Sequence, residues 1–515
     1  MVYLPCLSAY TADKGEIFLR KKLPIFYSAL MLTGVNLLLR LVSTSFQVYI
    51  SGKIGPAGIG LLQLVLSVGA LAMTAGMAGI RTATMYLTAG ELGRKKPQNV
   101  CWVLSGCFLY SIICSCVISI TLHSIAPFLA DRWIGDARTT EAIRLYSFSI
   151  PATCLCGVMT GYFTAANRIS TLAAVEVAEQ FVSMTVTMGI LTLWAGADPV
   201  KSCQSIIFGN CISTCLTLIC LVFLRLREHA PSGPRIPVRH DLLHTAVPLA
   251  LADDLRSGIS TTENLMVPKR LALYSEVTDP LAAFGMVCGM VFPVLMFPAA
   301  ILYALAELLI PELARCAAAG SNQRIRYLVK RSLKVSMLYG CFFCGMEFLL
   351  SNELCLWLYG STEAGRYLRL YALLIPMLFC DSITDAMTKG LGEQKACVRY
   401  NIITSTLDVL FLFLLLPKYG MMGYFFSFLV THLLNFALSL RRLLKIVGKV
   451  LCPSVPVLAG IATTSAIYVA SHIRSTSMRS IGYVVVLICM MTLLHVVGKE
   501  DLTWLRSMIS KSDNH

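Results

Sequence analysis

The chain has 515 residues, of which 56% are hydrophobic and 14% charged, with a net charge of +15 and a mean hydropathy of +0.71. A soluble domain carries about 25% charged residues, so too little polar surface is available here to cover a water-facing fold. Apolar runs of about 20 residues recur from Leu23 to Val497, each long enough to cross a bilayer as a helix. Transmembrane β-strands would be about half that length and would alternate in polarity. The positive charge lies mostly in short loops, where it orients membrane helices. That accounts for the basic balance without nucleic acid as a partner.

The reading in chain order is an all-α polytopic membrane protein. Residues 1–22 are polar and end in Arg20-Lys21-Lys22, which predicts a cytoplasmic flank rather than a cleavable signal. About fourteen transmembrane helices follow, at 23–49, 58–84, 99–122, 142–165, 172–195, 203–224, 242–267, 281–309, 331–351, 366–388, 399–416, 420–440, 450–471 and 480–498. They group as a six-helix bundle over 23–226, a second over 227–445, two additional spans over 446–498 and a cytoplasmic tail over 499–515. An even number of spans puts both termini on one side. Arg94-Lys95-Lys96, the 225–239 and 315–334 segments and Arg441-Arg442 fall on that same side, which predicts a multi-pass protein of the cell membrane with cytoplasmic termini. No loop is long enough to form a separate domain, so the spans themselves must carry the function.

The two bundles are related by repetition. Arg144-Leu145-Tyr146 with Ile150-Pro151 recurs 225 residues later as Arg369-Leu370-Tyr371 with Ile375-Pro376. Arg40-x3-Thr44-Ser45-x-Gln47 recurs 216 residues later as Arg256-x3-Ser260-Thr261-x-Glu263, and Pro56 pairs with Pro280 at 224. Six helices per half makes the halves parallel, about an axis along the membrane normal. Transporters built this way bind their cargo between the halves and rock around it.

Charges inside the spans mark the candidate site, because a charge near the bilayer centre costs about 2.5–3.5 kcal/mol and so faces a cavity or a partner. In the first span Asn36, Arg40, Ser43 and Gln47 share one helical face; in the seventh, Asp253, Arg256, Ser260 and Glu263 do the same. Gln63, Ser67, Thr74 and Arg81 form a third stripe in the second span. The first and seventh spans are repeat partners, so their stripes are expected to meet and wet a central cleft. Arginine suits a phosphate or pyrophosphate, since it offers paired charged donors in fixed geometry. Arg40, Arg256 and Arg81, with Asn36, Ser43, Gln47 and Ser260, are therefore the candidate substrate-binding residues. The alternative is internal pairing of Arg256 with Asp253, and snorkelling of Arg81 to the membrane edge. Asp253, Glu263 and Asp381 are candidates for coupling to a cation or proton. Asp385, four residues before Lys389, reads as half of a helix-end ion pair, and Pro151, Pro293, Pro298 and Pro376 as kinks or hinges.

No P-loop, H-E-x-x-H or G-x-S-x-G motif occurs, so neither an enzyme nor a nucleotide-driven pump is expected, and no cofactor or metal is implied. Most of the 20 cysteines lie inside apolar spans, where a thiol behaves as a small hydrophobe. Cys341-Phe-Phe-Cys344 has C-x-x-C spacing, but no His or second pair lies near it.

Several segments carry a family resemblance. Gly285-Met286-Val287-Cys288-Gly289-Met290-Val291-Phe292-Pro293-Val294-Leu295-Met296-Phe297-Pro298, followed by Glu307-Leu308-Leu309-Ile310-Pro311-Glu312-Leu313, resembles the stage V sporulation protein B group of the multidrug/oligosaccharidyl-lipid/polysaccharide exporter superfamily. So do Ile54-Gly55-Pro56-Ala57-Gly58-Ile59-Gly60-Leu61-Leu62-Gln63, the run from Arg256-Ser257-Gly258 to Val267-Pro268-Lys269, and Gly390-Leu391-Gly392-Glu393-Gln394. The resemblance implies two six-helix bundles with two extra C-terminal helices. It implies flipping of a polyprenyl-pyrophosphate-linked saccharide for cell-wall or polysaccharide synthesis, with spore cortex peptidoglycan as the case in that group. It also implies cationic residues in a central cavity, a description that Arg40 and Arg256 meet. Asp253-Asp254 makes the seventh span more acidic than that pattern. A cation-coupled multidrug exporter of the same superfamily and a non-transporting scaffold for cell-wall enzymes remain as alternatives.

Overall fold

A computed structural model describes residues 15–94, 96–166, 168–195, 198–227, 238–448, 450 and 454–496, with side chains throughout these except at 15–33, 35, 36, 169, 195 and 252. Most of the expected N-terminal flank, the whole C-terminal tail and the side chain of Asn36 lie outside the described residues. All regular structure among them is helical: α1 Gly15–Met77, α2 Ile80–Gly93, α3 Val100–Phe128, α4 Thr140–Ala165, α5 Ile169–Ile190, α6 Pro199–Leu226, α7 Arg239–Leu271, α8 Pro280–Gly285, α9 Phe292–Leu295, α10 Ala299–Ala318, α11 Asn322–Tyr359, α12 Thr362–Ala372, α13 Ile375–Gly390, α14 Gln394–Val447, α15 Ser454–Ser471 and α16 Thr476–Leu493.

Two of these helices each cross twice. The α1 helix breaks at Gly55, with φ 70 and ψ 176, and α14 breaks at Gly420, with φ 55 and ψ −138. Only glycine enters such backbone freely. In α14, Thr431 Oγ1 reaches Asp408 Oδ1 at 3.1 Å, although residues 23 apart in a straight helix would be about 35 Å apart. The arms of α1 fold in the same way, since Gln47, Ser51 and Ile59 all meet Gly289. The expected loop between the first and second spans is therefore a one-residue hinge. Two further crossings are bent, by 64° between α8–α9 and α10 and by 57° between α12 and α13. These bends fall at Pro298 and at Leu373–Leu374 just ahead of Pro376, whereas α4 runs through Pro151 unbroken. Nine helices, or eleven with each bent pair as one, are long and apolar enough to cross a membrane; counting the two arms of α1 and of α14 separately and adding the more charged α7 gives fourteen candidate crossings among the described residues.

Packing gathers α1–α6 on one side and α7–α14 on the other, with α1 against α7, α8 and α10, and α2 against α7, at the seam. The last pair, α15 and α16, lies on α11. There Tyr483 is fully buried and donates to the Cys341 carbonyl at 2.8 Å, among Ala459, Ala462 and Ala466. Large apolar side chains cover the outside, among them Leu109, Ile120, Ile219 and Trp357. That is the expected surface where lipid rather than water is the solvent.

The α14 hinge is testable. A Cβ at Gly420 would sit 2.7 Å from the Tyr274 ring as well as in left-handed backbone. Gly420→Ala is expected to cost about 1–3 kcal/mol and to lower the thermal midpoint of the detergent-purified protein. An unchanged midpoint would mean that the hinge relaxes freely.

Candidate functional site

The seam between the halves is sealed unequally. At the Gly55 end, Gly285 packs directly on Pro56 and Gly60, and Gly289 on Ile59. Gln47 Nε2 and Ser51 Oγ donate to the Gly289 carbonyl at 3.2 and 3.5 Å. The second arm of α1 is stitched to α7 further along: Thr261 Oγ1 donates to the Ser67 carbonyl at 3.0 Å, Asn264 Nδ2 to Ser67 Oγ at 3.0 Å, and Thr74 Oγ1 to Ser257 Oγ at 3.3 Å. The opposite, basic end carries Arg94, Arg315 and Arg442, near the last turns of α2, α10 and α14. Between α1, α4, α5, α6 and α10 lies a cavity of about 750 Å³, a size typical of small-molecule sites.

Arg40 and Ser43 line this cavity from α1, facing Tyr303 and Glu307 of α10. The Arg40 guanidinium stands 5.9 Å from the Tyr303 ring centre. The opposite wall comes from α4, α5 and α6. On α5, Glu176, Glu179, Gln180 and Ser183 share one face by spacing. Ser183 Oγ donates to Asn210 Oδ1 at 2.6 Å, and Thr214 Oγ1 to Glu179 Oε1 at 3.5 Å. No hydrogen bond or ion pair holds Glu176 among the described residues; Arg81 is the cation whose field reaches it. The lining holds one cation, Arg40, against Glu176, Glu179 and Glu307.

The other expected site residues are distributed more widely. Arg256 and Asp253 line a separate cleft of about 150 Å³ with Lys389, Asn401 and Ser405. They do not pair with each other there, while Lys389 instead ion-pairs with Asp385 at 2.6 Å. Ser260 is exposed on α7. Gln47 belongs to the seal, and Arg81 is exposed on α2, where that helix passes Gly157 and Gly161 of α4. The three coupling candidates also stand apart. Glu263 is within hydrogen-bonding reach of buried Asp408, which accepts from Ser427 Oγ at 2.6 Å and from Thr431 Oγ1 at 3.1 Å. Asp381 accepts from Asn435 Nδ2 at 3.2 and 3.1 Å, and Asp253 lies in the small cleft. Sequence reading passed over the α5 carboxylates and their α6 partners. The recurrence of Glu176, Glu179 and Ser183 at helical spacing was the available signal.

The profile of the family described as MatE matches residues 33–188 and 271–414. Stage V sporulation protein B of Bacillus subtilis (strain 168) is 21% identical over 411 residues, covering 76% of this chain and 78% of the relative. Among solved structures, the lipid II flippase MurJ in an inward closed conformation superposes with a TM-score of 0.68 at 12% identity, over 90% of this chain and 99% of that one. An inward-facing multidrug resistance MATE family transporter of the MOP superfamily superposes at 0.65 with 13% identity, over 81% of this chain and 100% of that one.

Proposed function

Because this chain belongs to the MatE family of membrane transporters, we propose that its cargo is a polyprenyl-pyrophosphate-linked saccharide, moved across the bilayer by alternating access. One observation carries this reading. The cavity is lined mainly by polar side chains, while α1 and α10, which both line it, also carry exposed Leu37, Leu38, Leu41, Ile301 and Leu308. A cargo with a polar head and a lipid tail fits that layout: the head enters the cavity and the tail stays in the bilayer. Arg40 is assigned the pyrophosphate. Arg256, beside Lys389, and Arg81 are assigned its approach from the basic end. That end is taken as cytoplasmic, with both termini, and the Gly55 end as the outer face of the cell membrane. Similarity to a lipid II flippase supports a cell-wall precursor as the cargo. The repeated match of the family profile supports two related halves. Glu263 with Asp408 is the best-placed pair for one coupling proton or small cation.

A second reading has its own support. The three carboxylates of the cavity favour a cationic cargo, as in a multidrug exporter of the same superfamily. Reconstitution separates the two. Proteoliposomes are expected to flip a fluorescent polyprenyl-pyrophosphate disaccharide faster than protein-free vesicles and to leave a lipophilic cationic dye undisturbed. Dye transport without lipid flipping would overturn the flippase reading.

A further inference from the structure

The lining of the large cavity does not match a head group that is only anionic. Arg40 stands on one wall; Glu176 and Glu179 stand on another, with Gln180, Ser183 and Asn210 beyond them. A pyrophosphate held by Arg40 would also meet the carboxylates of Glu176 and Glu179 across the cavity, which repel it. Removing a carboxylate from water is expensive without a counter-charge, and Glu176 has neither a hydrogen bond nor an ion pair among the described residues. Glu179 has only the Thr214 hydroxyl at 3.5 Å and a contact with Thr217. Arg81 is exposed and lies outside the cavity lining. Cation-binding capacity is therefore unused on one side of the cavity, and anion-binding capacity on the other.

We infer that the cavity reads a head group with two poles: a phosphate end at Arg40 and a primary-amine end at Glu176 and Glu179, bridged by saccharide hydroxyls on Gln180, Ser183 and Asn210. This rests on the flippase reading above and specifies its cargo as an amine-bearing lipid-linked saccharide, carrying an unacylated amino sugar or an amino-acid side chain. The amine neutralises the acidic wall, and this neutralisation is what lets the phosphate enter. One set of residues then accounts both for the acidity that favours a drug exporter and for the arginine that favours a phosphate.

Two synthetic polyprenyl-pyrophosphate disaccharides, identical except that one carries a free primary amine and the other its N-acetyl form, decide the matter in proteoliposomes of the full chain. Wild type is expected to flip the amine form faster by about tenfold, the value of one charge-assisted hydrogen bond of roughly 1.4 kcal/mol. The Glu176→Gln/Glu179→Gln variant should bring the ratio of amine-form to acetylated-form rates from about ten toward one. Equal wild-type rates for the two forms would overturn the inference and leave the flippase reading standing. So would equal slowing of both by the double substitution, since that is the mark of a structural role. If the acetylated form matched the amine form once sodium or potassium was raised, the acidic wall would be reading an inorganic cation and the inference would fall. Flipping of neither lipid by folded wild type would overturn the flippase reading and this one with it.

Discussion

Arg40→Ala is expected to slow flipping of a lipid-linked saccharide by roughly a hundredfold, the upper end for loss of a charged hydrogen-bonding partner at about 1.5–3 kcal/mol. It should leave membrane yield and thermal stability near wild type. The reason for the asymmetry is local. Arg40 is exposed to the cavity, makes no ion pair among the described residues and touches Tyr303 only through its ring face, so folding does not depend on it. Arg40→Lys should recover only part of the rate, because an ammonium cannot present the paired donors of a guanidinium. Arg256→Ala should cost less, by about tenfold, because Arg256 lies in the neighbouring cleft and not in the large cavity. Flipping rates measured side by side in proteoliposomes check all three. Equal, full activity of Arg40→Ala would remove the cavity from the mechanism.

Gly285→Val should hold the transporter open at the Gly55 end. A Cβ at Gly285 would collide with the Pro56 carbonyl oxygen and the Gly60 backbone, and neither can move aside as a side-chain tip would. Overpacking of this kind costs about 1–3 kcal/mol, and the cost falls only on the state in which the seal is closed. The equilibrium should therefore shift by about 5- to 150-fold toward the opposite state. Translocation requires both states, so net flipping should stop. The readout is labelling of Ser43→Cys, introduced into an otherwise cysteine-free chain, by a membrane-impermeant thiol reagent added outside. Gly285→Val should raise that labelling, and Gly285→Ala should raise it less. Labelling unchanged by both would show that the Gly285 contact is not the seal.

Composition and run length determined the membrane class by themselves. At 56% hydrophobic residues the chain cannot cover a water-facing surface, and only helices and closed barrels satisfy their own backbone in lipid. The number of crossings was legible for the same reason, as was the expected bend near Pro376, because proline removes a backbone donor locally. The Lys389–Asp385 pair was legible too, since four residues is one turn. Long-range geometry was not. The stripes on the first and seventh spans predicted one shared cleft. Tertiary structure sent Arg40 to the large cavity, Arg256 to a small one and Gln47 to the seal. Helical spacing states which side chains share a face; the hinge at Gly55 and the 64° bend beside Pro298 decide what that face meets. Glu176 and Glu179 became part of the cavity for the same reason: nothing local in α5 distinguishes a face turned toward a cavity from one turned to a neighbouring helix, and only the packing of α1, α4, α6 and α10 around it put that face on the cavity.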